Sequence, residues 1–512
     1  MKLLDRIKSN KSLILILCLI FVLALGVRVG ILCNTYDVHP ANIVLGMTQA
    51  KILVEGLESL TEANEFQGAL SSLGMTIGSF WGHSMQNAVM LAGTYWVFGE
   101  YDPICVRVIW LIIDSFGCLL MFLIGKELFS RRIGLIAAFL YAIWLPIAYL
   151  STWMFYYNLM PFITLLSLYF FIKAVRTGAI KFYVLSALSI GIGCYYSPII
   201  MFLPLMFGLA LFIYNLGKSN FRKQVANVAK MTAVMVAVVF LIISPTWGII
   251  HYIRPELKDF TMRGGILWGG MWEGFGEFGE NPVGAVFNDY VTYDQVTKEW
   301  GYDSVTYNQE KGEWEYEVEM WGPEYDEIFK PRVLDAIREH PAWWLSLLAR
   351  RVPHSIVYTS QLGIQYYPRD AEGNRIERKC QYPTIGPIIA MIKGGTFWEF
   401  VKSCPYAAFY TGLMYLFAVV PVLLSVVGIW VMRKNWRPLI LVAAASIYFA
   451  AVHIVMFVSS YKSMVAGNLA YIIFSAIALD YIYRRIRGAD IRTDELATPS
   501  TGKPSAIVRR QK

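Results

Sequence analysis

Apolar runs long enough to cross a bilayer recur along this chain, and the short segments between them carry clusters of Lys and Arg. A run of about 20 apolar residues crosses a hydrocarbon core as a helix, because a helix satisfies every backbone polar group internally. The basic clusters then decide which ends of the runs share a side, since Lys and Arg concentrate on the cytoplasmic face. The first run, Ser12 to Cys33, follows Lys2, Arg6, Lys8 and Lys11. Its length, and the lack of a small-residue cleavage pattern after it, predict a retained helix with a cytoplasmic N-terminus rather than a signal peptide.

Lys126, Arg131 and Arg132 form one basic cluster, Lys173, Arg176 and Lys181 a second, and Lys218, Arg222, Lys223 and Lys230 a third. Successive clusters are separated by paired apolar runs, 133–149 with 150–172 and 182–198 with 199–216, so all three are predicted on one side. Working back, the run 106–125 begins outside and the run 12–33 ends outside, which leaves 34–105 as one external segment. Its apolar piece 84–98 is then a surface or re-entrant helix, because a crossing there would break the charge parity.

The run 231–250 leads out to the largest polar region, about 251–345, which holds a dense acidic stretch through Glu313, Glu315, Glu317, Glu319, Glu324, Asp326 and Glu327. Pro331 to Arg351 reads as a helix with Trp343 and Trp344 as interfacial anchors. Residues 346–360 and 384–394 are apolar but short: re-entrant, interfacial or spanning. Runs 406–431, 438–458 and 465–483 follow, with a tight external turn at 459–464.

At 56% hydrophobic and 16% charged residues, the composition excludes a cytosolic enzyme and a disordered chain. The net charge of +8 would suggest nucleic acid for a soluble protein, but here the basic residues sit in loops and in the last stretch of chain, where membrane anchoring accounts for them. The predicted fold is an all-α polytopic membrane protein of about 10–12 helices with external juxtamembrane helices and a large external loop. Its parts are a transmembrane module over 1–250, the external loop region 251–405, C-terminal helices over 406–485 and a cytoplasmic disordered tail, 486–512. The seven cysteines show no metal spacing, and Cys380 and Cys404, on one predicted outer loop, are a candidate disulfide pair.

The candidate chemistry gathers at the external face. Asp37, with Tyr36 and His39 beside it, stands just past the first span, where a low-dielectric boundary raises a carboxylate's proton affinity and suits it to act as a general base. Asp102, in Gly99-Glu100-Tyr101-Asp102-Pro103, returns to the same face and could orient an acceptor, although Asp-Pro is equally a helix-start signal. Arg107 follows within an apolar edge, where an arginine needs a phosphate or a carboxylate. Lys51, on the amphipathic stretch Asn42 to Leu57, could meet a phosphate or simply face water. Tyr461 and Lys462 occupy the last external turn, His453 lies in the span before it, and His251 and Arg263 open the large loop; each is a candidate substrate contact. A divalent ion near Asp37 and Asp102 is conceivable, but no complete ligand set is visible and no cofactor is assigned. No phosphate-binding glycine loop, HExxH or serine elbow is present.

Three strings, in this order and topology, carry a resemblance. They are Phe98-Gly-Glu-Tyr-Asp-Pro-Ile-Cys-Val-Arg-Val108, Lys126-Glu-Leu-Phe-Ser-Arg-Arg-Ile-Gly-Leu-Ile-Ala-Ala-Phe-Leu140 and Arg338-Glu-His-Pro-Ala-Trp-Trp344. The chain resembles polytopic glycosyltransferases of the GT-C superfamily, in the group of protein O-mannosyltransferases and aminoarabinose transferases, over roughly residues 12–480. The resemblance implies a GT-C-type bundle and places Asp37 as catalytic base or acceptor-orienting group. Where relatives carry an Asp-Glu pair, this chain has Asp37 followed by Val38 and His39. Tyr461 and Lys462 stand where an Arg-Tyr pair often contacts the donor phosphate, and Tyr156, Tyr157 and Asn158 replace a usual acidic residue near the fourth span.

The function implied is transfer of a sugar from a polyprenyl-phosphate donor to a hydroxyl of a glycan, lipid or protein, on the outer face of the cytoplasmic membrane, with inversion. Its partners would be that donor, the acceptor and membrane lipids, with no nucleic acid. A lipid-linked glycan flippase or transporter, which would place polar residues in mid-span and break helices, is the alternative of a different class. A glycan polymerase or ligase using the same carriers is the nearer one.

Overall fold

The computed structural model describes residues 2–35, 85–153, 157–217, 220–253, 267–299, 323–356, 390–456 and 466–488, with short pieces inside 47–55 and 306–315. The protein is an all-α, multi-pass membrane protein whose described β structure is one small hairpin. The first helix, α1 (Lys2–Thr35), is followed by α2 (Met85–Phe98), and α3 (Pro103–Ser115) runs into α4 (Gly117–Leu128) as a single span. Next come α5 (Arg131–Ala142) and α6 (Leu145–Ser151), which meet at a 55° bend, then α7 (Met160–Thr177), α8 (Ile180–Cys194), α9 (Leu203–Asn215) and α10 (Phe221–Ile253).

Among the described residues seven helices are long and apolar enough to cross a membrane, or eight if the bent pair counts as one, against the larger number expected. Ile180–Cys194 is apolar but shorter. The last helix, which ends the bundle at Leu469–Ile486, carries Asp480, Arg484 and Arg485 in its final turns. Within the expected external segment, the described helix α2 is 14 residues, about 21 Å, against a hydrocarbon core of about 30 Å.

A second, smaller core forms in the polar region. There α11 (Leu267–Phe275), α12 (Asp289–Asp294), strands β1 (Thr306–Asn308) and β2 (Glu313–Glu315), and helices α13 (Pro323–Glu339) and α14 (Pro341–Ile356) follow in order. The strands pair antiparallel with Tyr307 opposite Trp314. Met271, Trp272, Phe275, Phe329, Val333 and Leu347 pack together, apart from the main core. The expected helix over 331–351 is two helices, because Pro341 has no amide to continue the ladder past His340. Trp343 and Trp344, expected as interfacial anchors, pack partly buried on this second core, with Trp343 edge-on to Phe275 at 5.2 Å.

The C-terminal elements are α15 (Phe397–Ser403), α16 (Pro405–Met432), α17 (Arg437–Val455) and α18 (Leu469–Ile486). Basic residues knit the loop ends together. Arg132 Nε lies 2.8 Å from Asp480, Arg484 Nε 2.9 Å from the same carboxylate, and Arg176 Nη1 2.6 Å from Glu127. The basic clusters around 126–132, 173–181 and 484–487 therefore share one end of the bundle, while Arg437 ties α17 to the end of α9 through the Leu216 carbonyl at 2.9 Å.

Candidate functional site

At the opposite end of the α3–α4 span, Asp102 caps α3. Its Oδ1 accepts from the amides of Ile104 at 2.8 Å and Cys105 at 3.1 Å, and its own amide donates to Thr94 Oγ1 of α2 at 3.0 Å. The cap follows from sequence: Asp at the N-cap with Pro103 at the first helical position, where a missing N–H costs nothing. Tyr95 and Tyr101 stack at 4.8 Å across the same corner. One turn on, Arg107 is buried and donates from Nε to the Thr152 carbonyl at 2.7 Å, joining α3 to the chain beyond α6. Asn158, also buried, bonds the Trp153 carbonyl at 3.1 Å and accepts from the Leu159 amide.

The end of α17 is built by a residue that the sequence did not single out. Arg351 of α14 donates from Nη1 to the carbonyls of Ile454 and Val455, each at 3.0 Å, from Nη2 to Gly274 at 2.5 Å, and from Nε to Glu277 at 3.1 Å. The last carbonyls of a helix have no intrahelical partner, and a guanidinium from outside supplies one. Burial pulls the Arg351 guanidinium below its ordinary value, and Glu277 acts in the opposite direction. Gly274 is required here, because a Cβ would collide with the Met456 carbonyl and crowd Arg351 Nη2. His453, one residue before this cap, is buried with Nδ1 2.5 Å from the Phe449 carbonyl. The smaller core is thus fastened to the end of α17.

Inside the bundle, Arg28 of α1 pairs with Asp114 of α3 at 2.7 Å, both wholly buried, and Tyr141 of α5 donates to the other Asp114 oxygen at 2.8 Å. The sequence signal for this pair is charge complementarity: Arg28 and Asp114 are opposite charges in two apolar runs.

The remaining candidates divide sharply. Lys51 is exposed, with Glu55 3.8 Å away. His251 lies on the last turn of α10. Asp37, His39, Arg263, Tyr461 and Lys462 lie outside the described residues. Cys404 is disulfide-bonded; Cys380, its expected partner, lies outside the described residues. No three His, Cys, Asp or Glu side chains converge among the described residues, and Asp102 Oδ1 is committed to its cap, so these residues alone do not hold a divalent ion.

Residues 83–248 match the family described as dolichyl-phosphate-mannose-protein mannosyltransferase. That stretch runs from α2 to the later turns of α10 and contains Asp102, Arg107 and Asp114. No curated protein matches the chain. Among solved structures, the archaeal oligosaccharyltransferase AglB from Archaeoglobus fulgidus, in complex with an inhibitory peptide and a dolichol-phosphate, aligns with TM-score 0.39 and 15% identity over 85% of this chain and 45% of its own. The apo form of the Archaeoglobus fulgidus oligosaccharyltransferase aligns with TM-score 0.36 and 14% identity over 82% and 45%. The chain therefore spans less than half the length of these structures.

Proposed function

We propose that this protein is a membrane glycosyltransferase that takes a sugar from a polyprenyl-phosphate-linked donor and places it on a hydroxyl of a glycan, lipid or protein acceptor. The observation that carries this reading is the match of residues 83–248 to the mannosyltransferase family, over the helices that hold the Asp102 corner. Asp37 takes the acceptor hydroxyl proton. The freed oxygen bonds to the anomeric carbon as that carbon's bond to the carrier phosphate oxygen breaks, and the phosphate leaves with the electron pair. One displacement inverts the centre.

Lys462, with Tyr461 and Lys51 as further candidate contacts, stabilises the leaving phosphate, because fixed positive charge is most effective where negative charge develops; His453, buried against the Phe449 carbonyl, is not among them. Asp102 orients the acceptor from the α2–α3 corner. Arg107 acts with it at the same end of the span, and His251 and Arg263 contribute from the start of the large loop. The reaction needs no nucleotide, in keeping with the sequence. It takes place on the external face of the cytoplasmic membrane, opposite the basic end of the bundle.

A flippase is the second reading, and one observation favours it: the Arg28–Asp114 ion pair in mid-span, beside a bent helix pair. Both Asp114 oxygens are already taken, however, and both side chains of the pair are wholly buried, so a passing headgroup has no open path to them.

The test is transfer of labelled sugar from a panel of synthetic polyprenyl-phosphate donors by the purified protein. Wild type should transfer, and Asp37→Asn should lose about 10²–10⁴-fold in rate. Undiminished transfer by Asp37→Asn would remove the role of Asp37. Absence of transfer from every donor, with lipid-linked glycan crossing vesicles, would establish the flippase.

A further inference from the structure

Arg28, Asp114 and Tyr141 meet where two transmembrane segments lose their regular hydrogen bonding. The α3–α4 span is interrupted at Phe116, beside Ser115, whose hydroxyl donates back to the Leu111 carbonyl at 2.7 Å, an arrangement that bends helices. The α5–α6 pair bends by 55° at Ile143 and Trp144. The cause of that bend is Pro146: the carbonyl of Ala142 would accept from the amide four residues on, and proline has none. Arg28 Nη1 faces this carbonyl at 3.4 Å, and it also donates to Ala24 of its own helix at 3.0 Å. Gly117 makes room for the third member, because a Cβ there would collide with the Tyr141 hydroxyl.

We propose that Arg28, Asp114 and Tyr141 form a positioning cluster that fixes the height and rotation of α1 against the interrupted α3–α4 span and the α5–α6 bend. The cluster thereby sets where the chain beyond Thr35, with Asp37, begins. The role of Asp37 in this statement rests on the proposed transferase function; the positioning of α1 does not.

Three features point to register rather than stability. A buried ion pair is a weak stabiliser relative to well-packed apolar side chains, and its best-attested use is to select one register. Arg28 Nη2 is buried without a hydrogen-bond partner, so the guanidinium is not satisfied as a purely stabilising group would be. The pair also supplies directional contacts on three sides of one arginine: its own helix at Ala24, α3 at Asp114 and α5 at Ala142. Apolar packing on α1 has no such directionality, since most of its span faces outward from the bundle.

The experiment uses the full chain in lipid nanodiscs, with Cys18, Cys33 and Cys105 replaced by Ser and Asp37→Cys as the reporter. A membrane-impermeant maleimide reads the labelling rate at position 37. The apolar pair Arg28→Leu/Asp114→Leu should melt at or above the parent temperature, yet change the labelling rate by about fivefold or more. Tyr141→Phe, which preserves shape and frees one Asp114 oxygen, should change it by about threefold. Unchanged labelling in both variants overturns the proposal; if the apolar pair does not fold, Tyr141→Phe alone decides.

Transfer is measured separately with Asp37 intact. Tyr141→Phe should lower kcat by about tenfold with donor KM within about twofold, and Arg28→Lys, which keeps the charge, should stay closer to wild type than Arg28→Leu/Asp114→Leu. A wild type that transfers nothing removes the transferase reading and leaves the labelling result to judge the cluster. A wild type that transfers, with labelling unchanged in the variants, removes the cluster's role alone.

Discussion

Arg351 and Glu277 form an ion pair at 3.1 Å in which neither side chain is more than 4% exposed. The pair ties two parts of the smaller core to each other, and the rest of the same guanidinium spans to the carbonyls of Ile454 and Val455 at the end of α17. One side chain therefore closes the contact between the polar region and the bundle. Arg351→Ala leaves the Glu277 carboxylate buried without its cation and should cost about 3–5 kcal/mol. The double change Arg351→Met/Glu277→Gln should recover most of that loss. Thermal unfolding of the detergent-solubilised protein, read alongside limited proteolysis within 267–356, would separate the two outcomes.

Gly274 makes the same junction sensitive to a single methyl group. In Gly274→Ala the new carbon meets the Met456 carbonyl, which is backbone and cannot swing aside. An overpacking penalty of about 1–3 kcal/mol is expected. Its local signature is faster amide exchange at the end of α17 than in wild type, with exchange in α5 unchanged; uniform acceleration across the bundle would contradict a local junction.

At Asp102 structure and chemistry can be separated by choice of side chain. Asn keeps a cap oxygen for the Ile104 and Cys105 amides but removes the charge, whereas Ala removes both. Asp102→Asn should melt like wild type, and Asp102→Ala should lose about 1 kcal/mol. If Asp102 orients the acceptor through its charge, transfer by both variants falls by about tenfold or more. Wild-type transfer by Asp102→Asn would leave this residue as a helix cap alone.

The helices were legible because span-length apolar runs and basic loops are both sequence-local signals: the expected run 406–431 is Pro405–Met432, and 12–33 lies within Lys2–Thr35. The break at His340 was legible in principle, since Pro341 announces it, but the polar pattern on either side concealed it. Asp102 was readable in both its capping and its catalytic senses, and the hydrogen bonds establish the cap. Arg351 was not legible. Its partners are two backbone carbonyls of a distant helix and a carboxylate far along the chain, and neither periodicity nor charge spacing encodes such an encounter. The Arg28–Asp114 pair lies between these cases: each charge is conspicuous in an apolar run, but only packing shows that they meet.

Topology gives the last prediction, and a native residue supplies one of its three probes. Cys33, an exposed free thiol near the end of α1, should react with an impermeant maleimide from the same side as Tyr101→Cys, because the parity of the basic loops puts 34–105 on one face. Ser130→Cys, beyond the 26-residue α3–α4 span of about 39 Å, should react only from the opposite side, where Arg131 and Arg132 lie. In sealed right-side-out vesicles the first two should label and the third should not until the membrane is opened. Labelling of Cys33 and Tyr101→Cys from opposite sides would require the chain between them to cross. Asp37 and Asp102 would then stand on different faces of the membrane, and no single site could use both.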